Sequence, residues 1–482
     1  GPDNQTCGLT ISLAATPSVG TGTWTRTSGP GAANFTNSNS PTSSVTVTAY
    51  GTYIFRWTEV NGICTDFDEV TVGFFQQPIA NAGPDGFACS LTYNLAAVPS
   101  VGTGTWTKAS GSGNAVFSNP NSPTSSVTVD AYDTYVFTWT EVNGICSDDD
   151  DVTVNFYQQP DADAGPDNST CGLTIALAAT PSVGIGTWTQ TSGPGIPNFT
   201  NANSPTSNVT VTLYGTYILR WTEVNGSCSD FDEVTINFFE QPVADAGIGG
   251  STCGLTFNLG AIPSVGVGTW TYTGPGIATF TPNANTPNAN VSVTQYGNYT
   301  FTWTEINGIC TSDDDVLVSF FEQPISEAGP DQQVCGQSAT MAAIPSVGTG
   351  TWTLSSGPGV ANYTNANDPT TSVSVNAYGT YIFRWTEVNN ICTDFDEVTI
   401  EFFETPVANA GPDGDACGFN YTLNAVASVG TGVWTYTGPG TANFSNTNDP
   451  AATVTVSALG MYTFTWTETN GICIDSDDVD VN

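Results

Sequence analysis

Twelve cysteines punctuate the chain at positions 7, 64, 89, 146, 171, 228, 253, 310, 335, 392, 417 and 473, and the first, third, fifth and so on advance by 82 residues each time. A period of that length marks a tandem array in which each unit closes its own core and packs chiefly against its neighbours. Every copy opens on a glycine (Gly1, Gly83, Gly165, Gly247, Gly329, Gly411), carries two tryptophans and sets its two cysteines 57 residues apart, or 56 in the sixth. The period divides the 482 residues into six domains, 1–82, 83–164, 165–246, 247–328, 329–410 and 411–482. The sixth stops short of a counterpart to residues 74–82, so it is read as truncated at its C-terminal end and the array as part of a longer one.

Inside a copy the apolar pattern has period two. Leu9, Ile11 and Leu13 alternate with polar residues, as do Val45 with Val47, then Tyr53, Phe55 and Trp57, then Val70, Val72 and Phe74. Residues 17–22, 28–31 and 37–41 between these runs are turn-forming, and no window shows helical spacing. Six or seven short strands and no helix in about 80 residues predict an all-β fold of Ig-like sandwiches, six in tandem as an extended rod. Asn61-Gly62, repeated in four other copies and replaced by Asn389-Asn390 in the fifth, predicts a two-residue hairpin turn. Placing the turn there pairs Glu59 with Cys64, Trp57 with Asp66 and Arg56 with Phe67.

That last pair alternates. Copies 1, 3 and 5 have Arg56, Arg220 and Arg384 with Phe67, Phe231 and Phe395, whereas copies 2, 4 and 6 have Thr138, Thr302 and Thr465 with Asp149, Asp313 and Ser476. The two positions change together, as an arginine laid over a cross-strand ring requires. The repeating unit is therefore a pair of domains, from a recent duplication or from alternating lateral contacts.

The constant spacing within each copy, with no CxxC and no histidine, predicts intradomain disulfides: Cys7–Cys64, Cys89–Cys146, Cys171–Cys228, Cys253–Cys310, Cys335–Cys392 and Cys417–Cys473. Disulfides at this density belong to an oxidising space outside the cytoplasm. Five Lys and Arg against 44 Asp and Glu give a net charge of −39, which repels nucleic acid and anionic membrane surfaces. Without histidine, and with Lys108 as the one lysine, histidine triads, histidine metal sites, Schiff bases and the Walker lysine are all excluded, and the chain reads as no enzyme. No run approaches 18 apolar residues, so neither a transmembrane helix nor a signal peptide is read from the sequence.

Acidic runs follow each second cysteine. Asp66, Asp68, Glu69, Asp148, Asp150, Asp230, Asp232, Asp313, Asp315, Asp394 and Asp396 are the candidate metal ligands, since carboxylates crowded on one face near Trp57 need a bulge to turn them outward or a hard cation such as Ca²⁺. No other cofactor is called for. The Gly-Pro-Asp at repeat starts (Asp3, Asp85, Asp167, Asp331, Asp413) is either a stiff turn or part of an interdomain ion site, and the fourth copy departs from it with Gly247-Ile248-Gly249.

Taken in order, the Ala-Gly-Pro-Asp, Cys-Gly, Ser-Val-Gly-Thr-Gly-Thr-Trp-Thr, Ser-Gly-Pro-Gly, Gly-Thr-Tyr-Ile-Phe-Arg-Trp-Thr and Asp-Glu-Val-Thr-Val segments resemble the PKD-like, immunoglobulin-like repeats of large surface proteins in gliding Bacteroidota, across all six copies. The resemblance implies an extracellular, cell-surface array exported by the type IX route and linked to gliding motility or adhesion. Its role would be that of a non-catalytic stalk holding an adhesive or anchoring region away from the cell. Two other roles are open: a subunit of a self-assembling filament, and a repeated carbohydrate-binding module, which requires aromatic rings displayed to solvent. The partners called are neighbouring repeats of the same chain, surface polysaccharide or other copies of itself, with no nucleic acid and no membrane insertion.

Overall fold

The computed structural model describes residues 1–482, and its elements are β-strands throughout. Residues 1–240 and 241–482 form two compact units, each holding three sandwiches. The first repeat serves as the pattern: β1 (Asn4–Cys7), β2 (Thr10–Ser12), β3 (Thr21–Ser28), β4 (Ala33–Phe35), β5 (Ser44–Val47), β6 (Gly51–Asn61) and β7 (Cys64–Phe75). One sheet runs β1-β7-β6-β3 and the other β2-β5-β4. Within the larger sheet β1 lies parallel to β7 while the remaining pairs are antiparallel. The chain is thus a series of Ig-like β-sandwiches, as its alternating pattern predicts.

Alternation puts Tyr53, Phe55 and Trp57 of β6 and Val70, Val72 and Phe74 of β7 inward, against Leu13, Trp24, Val45 and Val47. Trp24 and Trp57 meet at 5.3 Å between ring centroids, and the same indole pair recurs in every repeat. The Tyr53 hydroxyl donates to the Ala49 carbonyl four residues upstream, a tyrosine corner repeated from Tyr135 to Ala131 and so on to Tyr462 and Ala458. Asp3 at the repeat start accepts a hydrogen bond from the Thr71 amide at 2.7 Å, and Asp85, Asp167, Asp331 and Asp413 repeat the contact. The Gly-Pro-Asp aspartate therefore holds the opening segment to the last strand of its own repeat.

Three details depart from the sequence reading. The hairpin turns on Gly62 and Ile63, because Asn61 pairs with Cys64; this places Glu59 opposite Asp66, Trp57 opposite Asp68 and Arg56 opposite Glu69, a shift of two residues along β7. Gly62 takes φ +69°, and in the fifth repeat Asn390 fills the same position at φ +55°, asparagine being among the few side chains that tolerate it. Phe67 becomes a diagonal neighbour of Arg56, yet the guanidinium still lies 3.9 Å from the ring centroid while bonding Glu69 at 2.9 Å. In the second and fourth repeats the same place holds Thr138 and Thr302, each donating to an aspartate, Asp151 or Asp315. The exchange of Arg–Glu–Phe for Thr–Asp is thus a local swap of surface hydrogen bonding.

The bulge lies in β3, between Arg26 and Ser28, and not in β7, whose register is unbroken. Finally, the core of the second sandwich takes in Ala82 and packs Ala80, and Ala164, Ala246, Ala328 and Ala410 do the same in their successors. Each of these five sandwiches therefore begins several residues ahead of the glycine that marks the sequence period. In the sixth repeat the parallel first strand is reduced to a single bridge, Gly414 with Val481.

Candidate functional site: a covalent joint between repeats

The intradomain disulfides are not formed. Cys7 bonds Cys146, Cys89 bonds Cys228, Cys253 bonds Cys392 and Cys335 bonds Cys473, with Cα separations of 5.5, 5.6, 5.5 and 5.5 Å. Cys171 and Cys310 are also disulfide-bonded, whereas Cys64 and Cys417 are free. In each of the four bonds, the first cysteine of one repeat is tied to the second cysteine of the next. The physical reason is the parallel pairing of β1 with β7. Cys7 stands beside Phe75, at the far end of the strand that Cys64 begins. Eleven residues of strand separate the two ends, roughly 36 Å at 3.3 Å per residue, and a disulfide spans no more than about 7 Å between Cα atoms. Cys7 and Cys64 sit at opposite poles, so each sandwich offers one cysteine upstream and one downstream.

The disulfide is the covalent part of a larger joint. Residues 76–82 run from the end of β7 along the hairpin of the second repeat, and their polar groups find partners there. The Asn143 side-chain amide donates to the Gln76 carbonyl at 2.9 Å, Gln77 to the Ser147 carbonyl at 2.8 Å, and the Ile79 amide to the Ser100 hydroxyl at 2.8 Å. The Ala80 and Ala82 amides donate to Asp148 and Asp150, both at 2.8 Å. The Phe75 ring lies over the turn glycine Gly144, so closely that a Cβ there would come within 2.4 Å of it. Asn225, Gln159, Asp230 and Asp232 repeat these contacts at the following joint, and Asn389, Gln323, Asp394 and Asp396 in the other unit. The linker is held by this set of hydrogen bonds, not by proline stiffness alone.

This accounts for most of the acidic residues read as metal ligands. Asp148, Asp150, Asp230, Asp232, Asp394 and Asp396 accept linker amides. Asp68 faces the N-terminal ammonium at 3.3 Å, Glu69 pairs with Arg56, and Asp66 stands opposite Glu59 at the tip of the first repeat. In the fourth repeat Ser312 and Asp314 receive the linker amides, which puts Asp313 and Asp315 on the other face of the strand, Asp315 accepting from Thr302. No three of these side chains converge as a metal site would require.

One carboxylate escaped the sequence reading. Glu141 is 1% exposed and has no cation near it, yet its oxygens accept the Trp139 indole N–H at 3.0 Å, the Ser100 amide at 2.9 Å and the Ser100 hydroxyl. Burial would raise this carboxyl, but the bonds from Ser100 and Trp139 outweigh it and hold it below the usual range. In the first repeat, Ser18 and Trp57 hold the equivalent Glu59 at about 2. The available signal was the co-occurrence of Ser-Val-Gly and Trp-Thr-Glu in all six copies. Because Ser100 also receives the Ile79 amide, this buried acid braces both the core and the joint.

Replacing Glu141 by alanine strands a buried indole N–H and a backbone amide, and is expected to cost the second sandwich about 3 kcal/mol or more in denaturant unfolding. A folded-state pKa below that of the unfolded chain stabilises the fold above the unfolded value and ceases to do so as pH falls through the folded one. For the first repeat that loss spans pH about 4.5 to about 2.

No family model matches the chain, and no curated protein matches it. Among solved structures, the chain is similar to the N-terminal eight Ig domains of Down Syndrome Cell Adhesion Molecule, at 11% identity over all of this chain and 71% of that one, with a TM-score of 0.33. Sidekick-1 immunoglobulin domains 1–5 match at 11% identity over 84% and 99% of the two chains, TM-score 0.25. An I-band fragment of titin matches at 14% over 50% and 98%, TM-score 0.30.

Proposed function

We propose that this chain is a non-catalytic, load-bearing stalk of a repetitive cell-surface adhesin outside the cell, of the kind its repeats resemble in gliding Bacteroidota, with polysaccharide or another surface as the target of the protein it serves. The observation that carries the reading is the joint: adjacent repeats are tied by a disulfide as well as by the main chain, a device suited to an oxidising space and to tension. In the chain-entropy picture, closing a loop of 139 residues contributes about 5 kcal/mol for an isolated crosslink. The carbohydrate-module reading loses its main support, since Trp24 and Trp57 are 2% and 6% exposed and neither is open to a sugar.

Antibody labelling of intact producing cells tests the location. Signal on unpermeabilised cells, removed by external protease after reduction, is the expected result; signal only after permeabilisation would overturn the reading.

A further inference from the structure

We propose that the joint between the second and third repeats is a binding site for one residue of a neutral saccharide. A cleft of about 340 Å³ opens there, inside the compact unit of residues 1–240, lined by Tyr132, Asp133, Asn155 and Tyr157 from the second repeat and by Val183 and Asn225 from the third. That volume falls among small-ligand pockets, which run from roughly 300 to 1,000 Å³.

The lining is particular to this joint. Where the second repeat has Asp133, every other repeat has glycine (Gly51, Gly215, Gly297, Gly379, Gly460), and where it has Tyr157 the others that reach this position have phenylalanine (Phe75, Phe239, Phe321, Phe403). Asn155 replaces Gly73 of the first repeat. Three positions far apart in sequence terms thus gain a carboxylate, a phenol and an amide together, and all three line one cleft.

These groups are held in place by the fold. The Thr134 and Ser112 amides donate to the two oxygens of Asp133 at 2.8 and 3.1 Å, and a carboxylate has about four acceptor positions, so two are left for a ligand. The Asn155 side-chain oxygen accepts the Thr134 hydroxyl at 2.7 Å, which leaves its NH₂ group to donate. Tyr157 is seated on the turn of the third repeat, so closely that a Cβ at Gly226 would come within 2.3 Å of its ring. Tyr132, 44% exposed, supplies the second ring.

The negative faces of two aromatic rings suit the polarised C–H groups of a pyranose. An acceptor and a donor set beside them suit sugar hydroxyls, each of which both donates and accepts. Asp133, with no lysine or arginine among the lining residues, turns anionic ligands away. An organic cation would use the rings and Asp133 but leave the Asn155 donor without a role. Because both repeats contribute to the cleft, an occupant also stabilises the joined form of the linkage. This deepens the stalk reading, on which it rests only for meeting a polysaccharide outside the cell. It is a single site at one joint and not the repeated module, whose tryptophans are buried.

The test is saturation-transfer NMR on the whole oxidised chain with the methyl glycosides of glucose, galactose, mannose and N-acetylglucosamine, and with choline as the cationic comparison. At least one glycoside should bind, with saturation strongest on the C–H protons of one ring face. The triple variant Asp133→Gly, Asn155→Gly, Tyr157→Phe rebuilds the lining from the residues that the first repeat carries at these places, so it should keep the Cys89–Cys228 bond and unfold like the parent while losing the sugar signal. Asp133→Asn, which keeps the shape and removes the charge, should weaken binding about tenfold. Absence of binding by all four glycosides, equal binding by the triple variant, or tighter binding of choline than of every glycoside would each overturn the proposal. All three results would leave the stalk reading standing, since that reading fails only if the chain is found inside the cell.

Discussion

A chain cut once between its second and third repeats, for example at a protease site placed in residues 157–160, is expected to remain one covalent molecule until it is reduced. Cys89 ties the second repeat to Cys228 of the third across the cut, and Cys7–Cys146 overlaps that loop from the other side. Because the loops interlock, any single break between Cys7 and Cys228 leaves both ends attached. The same holds between Cys253 and Cys473, through the bonds to Cys392 and from Cys335. Disulfides confined to single repeats would behave differently, and the molecule would fall into two at any cut in a linker. Non-reducing electrophoresis reads the difference directly: one full-size band that splits on reduction is the expected result, and two bands without reductant would refute it.

Pulled from its ends in an optical trap, the oxidised chain should reach less than half the length of the reduced one. From Gly1 the shortest covalent route crosses at Cys7 to Cys146, runs back to Cys89 and crosses to Cys228, so residues 1–240 present about 75 residues of free contour and not about 240. Residues 241–482 are shortened in the same proportion through Cys253, Cys392, Cys335 and Cys473. At roughly 3.5 Å per residue the oxidised chain stops at or below about 550 Å, and the reduced chain extends to about 1,700 Å. Unfolding of individual sandwiches under load would then release little length, which is how a stalk keeps its reach. An oxidised extension equal to the reduced one would show that the joints carry no load.

The sandwich was legible in the sequence because Tyr53, Phe55 and Trp57 alternate with polar neighbours, and a period of two admits only a strand with one buried face. The joint was not. In a perfect tandem array every offset is constant: Cys7 lies 57 residues before Cys64 in each copy, but also 139 before Cys146. Spacing cannot choose between them. What chooses is whether the short first strand runs parallel or antiparallel to the last, and in Asn4–Cys7 four residues with one half-buried side chain carry no periodic signal of direction.

The two-residue error in the hairpin has a similar origin. Asn61-Gly62 fits the familiar dipeptide turn, but Asn61 ends the strand opposite Cys64, and its counterparts Asn143, Asn225, Asn389 and Asn470 reach the carbonyl of the preceding linker. The acidic runs were misread for the same reason. Asp148 and Asp150 look like an uncompensated pair until residues 80 and 82 of the entering linker supply their donors. Each of these features belongs to the contact between repeats, which the pattern of one repeat does not contain.

The most direct measurement is a map of the disulfides. Trypsin, cutting after Arg26, Arg56, Lys108, Arg220 and Arg384, leaves the cysteine peptides linked together, so the denatured, thiol-blocked, unreduced protein is cut with chymotrypsin as well, at aromatic residues between the cysteines such as Phe67, Phe87 and Phe156. In the interlocked array the Cys7 peptide, from within residues 1–24, is then found joined to residues 140–156 through Cys146. Finding it joined to residues 58–67 through Cys64 would contradict the covalent joint and return each disulfide to its own repeat.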